Sequence, residues 1–146
     1  MAKIAIMGFG TVGSGVLEVC RRNAASIARR AGEPVEVKYI LDVRDFSGSP
    51  DAALFTKSID TILNDPEIKV VVETIGGTKF AYPYVRRCLE SGRSVCTSNK
   101  EIRYMGYLIS LGVYSFKGMK VGLDCANGSS WNTLNNKDNM QEKSLS

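Results

Sequence analysis

The sequence predicts an α/β protein, a doubly wound parallel sheet in a three-layer α/β/α arrangement. Three observations carry that expectation. Short β-branched runs alternate with amphipathic stretches in the order β-α-β-α-β-α-β. Short connections through helices make neighbouring strands parallel, with right-handed crossovers. The strand runs are nearly continuously apolar, as strands buried on both faces must be.

The first run, Lys3-Ile4-Ala5-Ile6-Met7, stops at glycine. A helix is expected from about Thr11 to Ala31. Its apolar stripe is read as Val12, Val16, Val19/Cys20 and Ile27, with Arg21, Arg22, Arg29 and Arg30 mostly on the other face. Gly32-Glu33-Pro34 ends it. Val35 to Leu41 is the second strand, and residues 45–52 are a turn-rich loop. Ser58 caps a short helix, Ile59 to Asn64, stopped by Asp65-Pro66. Ile68 to Thr74 is the clearest strand and runs into Gly76-Gly77. Phe80 to Ser91 reads as a helix with Pro83 in its first turn and Gly92 at C′. Ser94 to Thr97 is the fourth strand.

Composition limits the function. The chain has 146 residues, 44% hydrophobic and 23% charged, the balance of one soluble domain with or without a tail. No apolar run approaches the roughly 18 residues of a membrane span, so no membrane partner is expected. The first ten residues lack the apolar core and cleavage site of a signal peptide, which sets the expected location as cytoplasmic. With no histidine, Ser-His-Asp, Cys-His and most zinc chemistry are excluded. Cys20, Cys88, Cys96 and Cys125 have no metal-ligand spacing; they read as thiols in a reducing compartment, and no metal site is expected. The net charge of +4 is mild and the arginine pairs form a solvated helix face, so nucleic acid is not an expected partner.

Gly8-Phe9-Gly10-Thr11-Val12-Gly13 is a G-x-G-x-x-G motif between the first strand and first helix. There Gly8 permits the tight turn, Gly10 lets a pyrophosphate approach the backbone, and Gly13 lets helix and strand pack closely. The helix N-terminus turns its N–H groups and positive partial charge toward phosphate. The motif makes the sheet Rossmann-type and the ligand a dinucleotide. An acid at the end of the second strand suits a free ribose 2′-hydroxyl, and an arginine suits a 2′-phosphate. The chain offers Asp42, Arg44 and Asp45. Arg44 either forks onto the phosphate, with Lys57 joining it, or pairs with Asp45 in solvent. The cofactor is read as NADP or NAD, leaning to NADP. Thr74-Ile75-Gly76-Gly77 and Thr97-Ser98-Asn99-Lys100 follow the third and fourth strands, at the same carboxyl edge.

Residues 1–101 resemble the N-terminal cofactor domain of homoserine dehydrogenase. The matching segments are IMGFGTVGSGV (6–16), DVRD (42–45), NDPEIKVVVETIGG (64–77) and VCTSNKE (95–101). The resemblance implies an oxidoreductase that interconverts aspartate semialdehyde and homoserine with NAD(P)H, in amino-acid biosynthesis. It implies that Gly10, Thr11 and Val12 cradle the pyrophosphate and that Arg44 sets the NADP preference. Thr74, Gly76 and Ser98 then line the nicotinamide side, and Lys100 matches the lysine between cofactor and substrate.

After residue 101 the pattern changes. Residues of about 103–132 resemble a fragment of phosphoglucosamine mutase without its phosphoserine and magnesium loops, so the chain reads as a fusion. Residues 133–146 read as a polar, disordered tail. A helix over 104–114 and a strand over 119–125 would complete the sheet. Otherwise 103–146 dangle, or the open sheet edge pairs with a second copy of the chain. Two functions remain. One is an NAD(P)-binding domain that does not complete catalysis alone, because the family holds its substrate on a further domain. The other is a non-enzymatic joined module with a vestigial cofactor loop.

Overall fold

The computed structural model describes residues 1–100, 102 and 121–123. Among them is one sheet, with strands β1 (Ala2–Met7), β2 (Val35–Leu41), β3 (Phe55–Thr56), β4 (Ile68–Glu73), β5 (Ser94–Thr97) and β6 (Val121–Leu123). The spatial order is β3-β2-β1-β4-β5-β6, and every pairing is parallel. The helices are α1 (Thr11–Arg22), α2 (Ala24–Ala31), α3 (Ile59–Leu63) and α4 (Ala81–Glu90). The chain runs outward from β1 to one side, returns to β4, and continues to the other. That reversal opens a crevice at the carboxyl ends of β1 and β4.

β1 shows why the layers form. Ile4 and Ile6 pack on one face with Leu17, Val37 and Ile40. Ala5 and Met7 pack on the other with Ile59, Ile62, Val71, Val85 and Cys88. Side chains alternate faces along a strand, so a run buried on both sides has to be apolar at every position.

Three sequence expectations change. The helix expected over 11–31 is broken at Asn23, which caps both α1 and α2 with φ −107° and ψ 21°. Asparagine competes for backbone hydrogen bonds and favours such ends over helix interiors. The stripe of α1 is also rotated. Val12 and Val19 are exposed, whereas Gly13 and Leu17 are buried. A Cβ on Gly13 would lie 2.0 Å from the Gly8 carbonyl oxygen, so this glycine seats the helix against β1 and fixes which face turns inward. A count of apolar side chains omits it. Finally, β3 was not expected, because two residues show no periodicity. It pairs Phe55 and Thr56 with Ile40 and Leu41.

Ser58 caps α3 by accepting the Asp60 N–H, and Gly92 follows α4 with φ 80°, both as the sequence indicates. Of the segment expected to complete the sheet, Val121–Leu123 lies beside β5 as β6. The helix expected over 104–114 and the tail over 133–146 lie outside the described residues. Cys20 is half-buried and Cys88 buried, and burial pushes the Cys88 thiol up to about 11.

Candidate functional site

The carboxyl edge of the sheet gathers the polar groups. The turn after β1 is shaped by two contacts. Gly8 has φ 91°, and a Cβ there would stand 2.9 Å from the Ile75 backbone. Only glycine combines that dihedral with that approach. The Thr74 hydroxyl donates to the carbonyls of Met7 (3.1 Å) and Gly8 (2.8 Å), tying the exit of β4 to the turn. Gly10 differs from its neighbours: a Cβ added there meets nothing within 4 Å. It caps α1 without a side-chain hydrogen bond, and the first turn of the helix holds no acid. The N–H groups and dipole of α1 therefore face the open side of a bare backbone, the shape and polarity a pyrophosphate fits.

At the end of β2, Asp42 braces the same turn from the other side. Its Oδ2 accepts the Phe9 N–H at 2.8 Å, and its Oδ1 accepts the Arg44 N–H at 2.9 Å. The Arg44 guanidinium grips both carboxylate oxygens, Nε at 3.0 Å and Nη2 at 2.8 Å, and Nη2 also donates to the Phe9 carbonyl at 2.8 Å. The Arg44 side chain, helped by both backbone N–H groups, holds Asp42 far below the ordinary carboxylate range. Arg44 thus pairs with Asp42 rather than Asp45. Asp45 instead accepts the Ser47 N–H at 2.9 Å. Beneath the arginine, Phe9, Phe46 and Phe55 form a ring cluster, and the guanidinium carbon lies 5.1 Å from the Phe46 centroid.

Between the exits of β4 and β5 and the start of α1 lies an open cleft of about 350 Å³. Val12, Glu73, Thr74, Gly76, Gly77, Ser98, Asn99 and Lys100 line it. The structure thus brings Val12, Thr74, Gly76, Ser98 and Lys100 of the sequence-derived set to one cleft. Gly8, Gly10, Thr11 and Gly13 form the turn and helix start beside it. Arg44 stands across the turn from the cleft, against Phe9. Lys57 is exposed and contributes only the weakest of the interactions holding Asp45 low, after those of Ser47.

Three lining residues fall outside the sequence-derived set: Glu73, Gly77 and Asn99. Glu73 is 1% exposed. Its signal is an acid directly after the Val70–Val72 run of β4. Asn99 donates through Nδ2 to the Gly77 carbonyl at 2.7 Å, joining the two loops of the cleft. Among the described residues, no cluster of three His, Cys, Asp or Glu is placed to hold a metal, and no helix is long and apolar enough to cross a membrane.

A parallel sheet in this order, with a glycine turn and bare helix start over its switch point, defines a Rossmann-type dinucleotide-binding domain. Residues 8–104 match the family model of the NAD-binding domain of homoserine dehydrogenase. The chain is 42% identical to homoserine dehydrogenase of Pseudomonas aeruginosa over 105 residues, 68% of this chain and 23% of that protein. The crystal structure of a homoserine dehydrogenase from Thiobacillus denitrificans superposes with a TM-score of 0.69 at 35% identity, covering 83% of this chain and 28% of that one. The chain belongs to the homoserine dehydrogenase NAD-binding domain family, and its cofactor is a nicotinamide dinucleotide. It spans about a quarter of the length of the curated homoserine dehydrogenases it matches. A separate match, 72% identical over 29 residues, is to phosphoglucosamine mutase of Lachnospira eligens, the second family whose pattern the sequence carries.

Proposed function

We propose that the chain binds NADP in preference to NAD and is the cofactor unit, residues 1–101, of a cytoplasmic enzyme that interconverts aspartate semialdehyde and homoserine. The observation that carries the NADP preference is the state of Asp42. In an NAD site the acid ending β2 accepts the ribose 2′-hydroxyl. Here the Asp42 side chain is only 8% exposed, and its oxygens already accept from Phe9 and Arg44. The Arg44 side chain is 57% exposed. Its bonds to Asp42 and Phe9 use Nε and Nη2, which leaves Nη1 for an incoming anion. Lys57 adds a second cation on the same side.

In this reading Gly10, Thr11 and Val12 offer backbone N–H groups to the pyrophosphate, on the turn that Gly8 and Gly13 shape. Thr74, Gly76 and Ser98 line the nicotinamide end, and Lys100 stands at the cleft mouth, where a substrate oxygen approaches. The dinucleotide supplies the hydride chemistry when bound. The residues that hold the substrate amino acid belong, in this reading, to the rest of the enzyme. Positioning of that kind contributes about 7–11 kcal/mol to such reactions. The purified 146-residue chain is therefore expected to show no homoserine oxidation with saturating NADP⁺ or NAD⁺. A turnover that depends on Lys100 would overturn that expectation.

The cofactor reading is tested by titrating the chain with NADPH and NADH, followed by fluorescence and thermal shift. Arg44→Ala should weaken NADPH about ten- to a hundredfold more than NADH, the worth of a charged hydrogen bond. The ratio is the readout, because losing the brace on Phe9 weakens both cofactors alike. Equal losses would make Arg44 a brace only. A folded parent that binds neither cofactor would favour the non-enzymatic module.

A further inference from the structure

A buried carboxylate is costly unless hydrogen bonds replace its water. Glu73 ends β4 with 1% exposure, at a position where an apolar side chain would carry no such cost. Its hydrogen bonds show what it is tied to. Oε1 accepts the N–H groups of Ile75 (2.7 Å) and Gly76 (3.2 Å), two successive amides of the loop after β4. That loop continues through Gly76 at φ 76° and Gly77 at φ 67°, a left-handed pair that few other residues would adopt. Oε2 accepts the Thr97 hydroxyl at 2.5 Å. Thr97, itself 2% exposed, accepts the Asn99 N–H at 3.0 Å. Asn99 then returns to the first loop through its bond to the Gly77 carbonyl at 2.7 Å.

These bonds close a ring: Glu73, the 75–77 loop, Asn99, Thr97 and back to Glu73. The ring forms the wall of the cleft between Thr74–Gly77 and Ser98–Lys100. No member of it belongs to the pyrophosphate turn, and the one described approach between them is the Ile75 backbone against Gly8. We infer that Glu73 is a positioning residue that, through Thr97 and Asn99, locks the two nicotinamide-side loops in one mutual geometry and so sets affinity for the nicotinamide half of the cofactor more than for its pyrophosphate half. The inference rests on the dinucleotide reading and deepens it. Neither loop can move without breaking a bond to a buried acceptor, which leaves that acceptor uncompensated.

The test uses the 146-residue chain and three variants of similar volume: Glu73→Met, which removes both acceptor oxygens, Thr97→Val and the double variant. Each is checked for folding by circular dichroism and thermal unfolding. Affinity is then measured for NADPH, NADH and ADP, the last of which carries adenosine and pyrophosphate without the nicotinamide riboside. Both single variants should lose about tenfold in NADPH and NADH affinity while ADP changes less than about twofold. The double variant should lose no more than the larger single loss, because both changes break one ring. A folded variant that weakens ADP as much as NADPH, or one that leaves NADPH unchanged, overturns the inference. Losses that add in the double variant overturn the ring. A folded parent that binds none of the three ligands fails the dinucleotide reading itself, and the inference with it. If one single variant does not fold, the other decides by the same ratio.

Discussion

The two ends of the sheet use acidic residues in opposite ways. At the amino end, Glu67 binds Lys3 Nζ through both oxygens, at 3.0 and 2.9 Å, and Lys38 Nζ at 2.6 Å. Asp65 takes Lys38 as a second partner and the Tyr39 hydroxyl at 3.0 Å. Charges meet charges, and the cluster ties β1, β2 and the start of β4 together. At the carboxyl end, Asp42 and Glu73 each also bind two backbone N–H groups of loops: Phe9 and Arg44 for Asp42, beside its ion pair with the Arg44 guanidinium, and Ile75 and Gly76 for Glu73. An acid tied to a lysine adds some stability. An acid tied to loop amides fixes the shape of a surface that has no side chain of its own. The second use marks the end of the sheet that binds.

The largest effect that separates stability from binding within the carboxyl end lies in two glycines three residues apart. Gly10→Val should abolish NADPH and NADH binding and leave thermal unfolding close to the parent. Its side chain enters space with nothing within 4 Å, where the pyrophosphate is proposed to approach. Gly13→Val should instead destabilise the fold by at least the 1–3 kcal/mol typical of overpacking, because its Cβ meets the Gly8 carbonyl oxygen at 2.0 Å. Equal cofactor affinity in Gly10→Val and parent would remove the pyrophosphate from this turn. A Gly13→Val protein as stable as the parent would show that α1 can shift away from β1.

That contrast also shows what was legible in the sequence. Strand positions and the glycine turn could be read because they depend on local composition: β-branched runs, a motif of fixed spacing, Ser58 before a helix. The rotation of α1 does not show in its apolar stripe, because it is set by Gly13, whose missing Cβ faces the Gly8 carbonyl of the same motif. The break at Asn23 is hidden because the apolar stripe continues across it to Ile27. In the site, Gly8, Gly10, Val12, Thr74, Ser98 and Lys100 fall where the strand ends place them. Glu73 looked like one more strand residue, and only its three loop and hydroxyl donors reveal its part. The sequence leaves Arg44 either forking onto a phosphate or pairing with Asp45, its neighbour. A bend at Val43 and Arg44 instead brings it to Asp42, two residues away, with the Phe9 carbonyl as a third anchor.

The smallest effect concerns acid, and it compares the two ends directly. Hydrogen bonds from Lys38, with help from the Glu67 N–H and Tyr39, hold Asp65 at about 2. Lys38 and Lys3 likewise lower Glu67. Arg44 holds Asp42 lower still. A carboxylate lowered in the folded state stabilises it above the unfolded value of about 4, and that contribution is lost as pH falls through the folded value. The amino-end cluster should therefore weaken between about pH 4 and 2, while Asp42 still braces the glycine turn. Carboxyl chemical shifts followed by NMR should titrate Asp65 near 2 and leave Asp42 ionised at that pH. Over the same window Asp65→Asn should lose less melting temperature than the parent, having started lower at neutral pH. The effect is small because Glu67 and, in part, Lys38 meet solvent, where screening reduces an ion pair to a fraction of its buried worth. If both carboxylates titrate together near 4, the amino-end cluster is an ordinary set of surface pairs and the Arg44 clamp is open in solution. The contrast between the two ends would then rest on Glu73 alone.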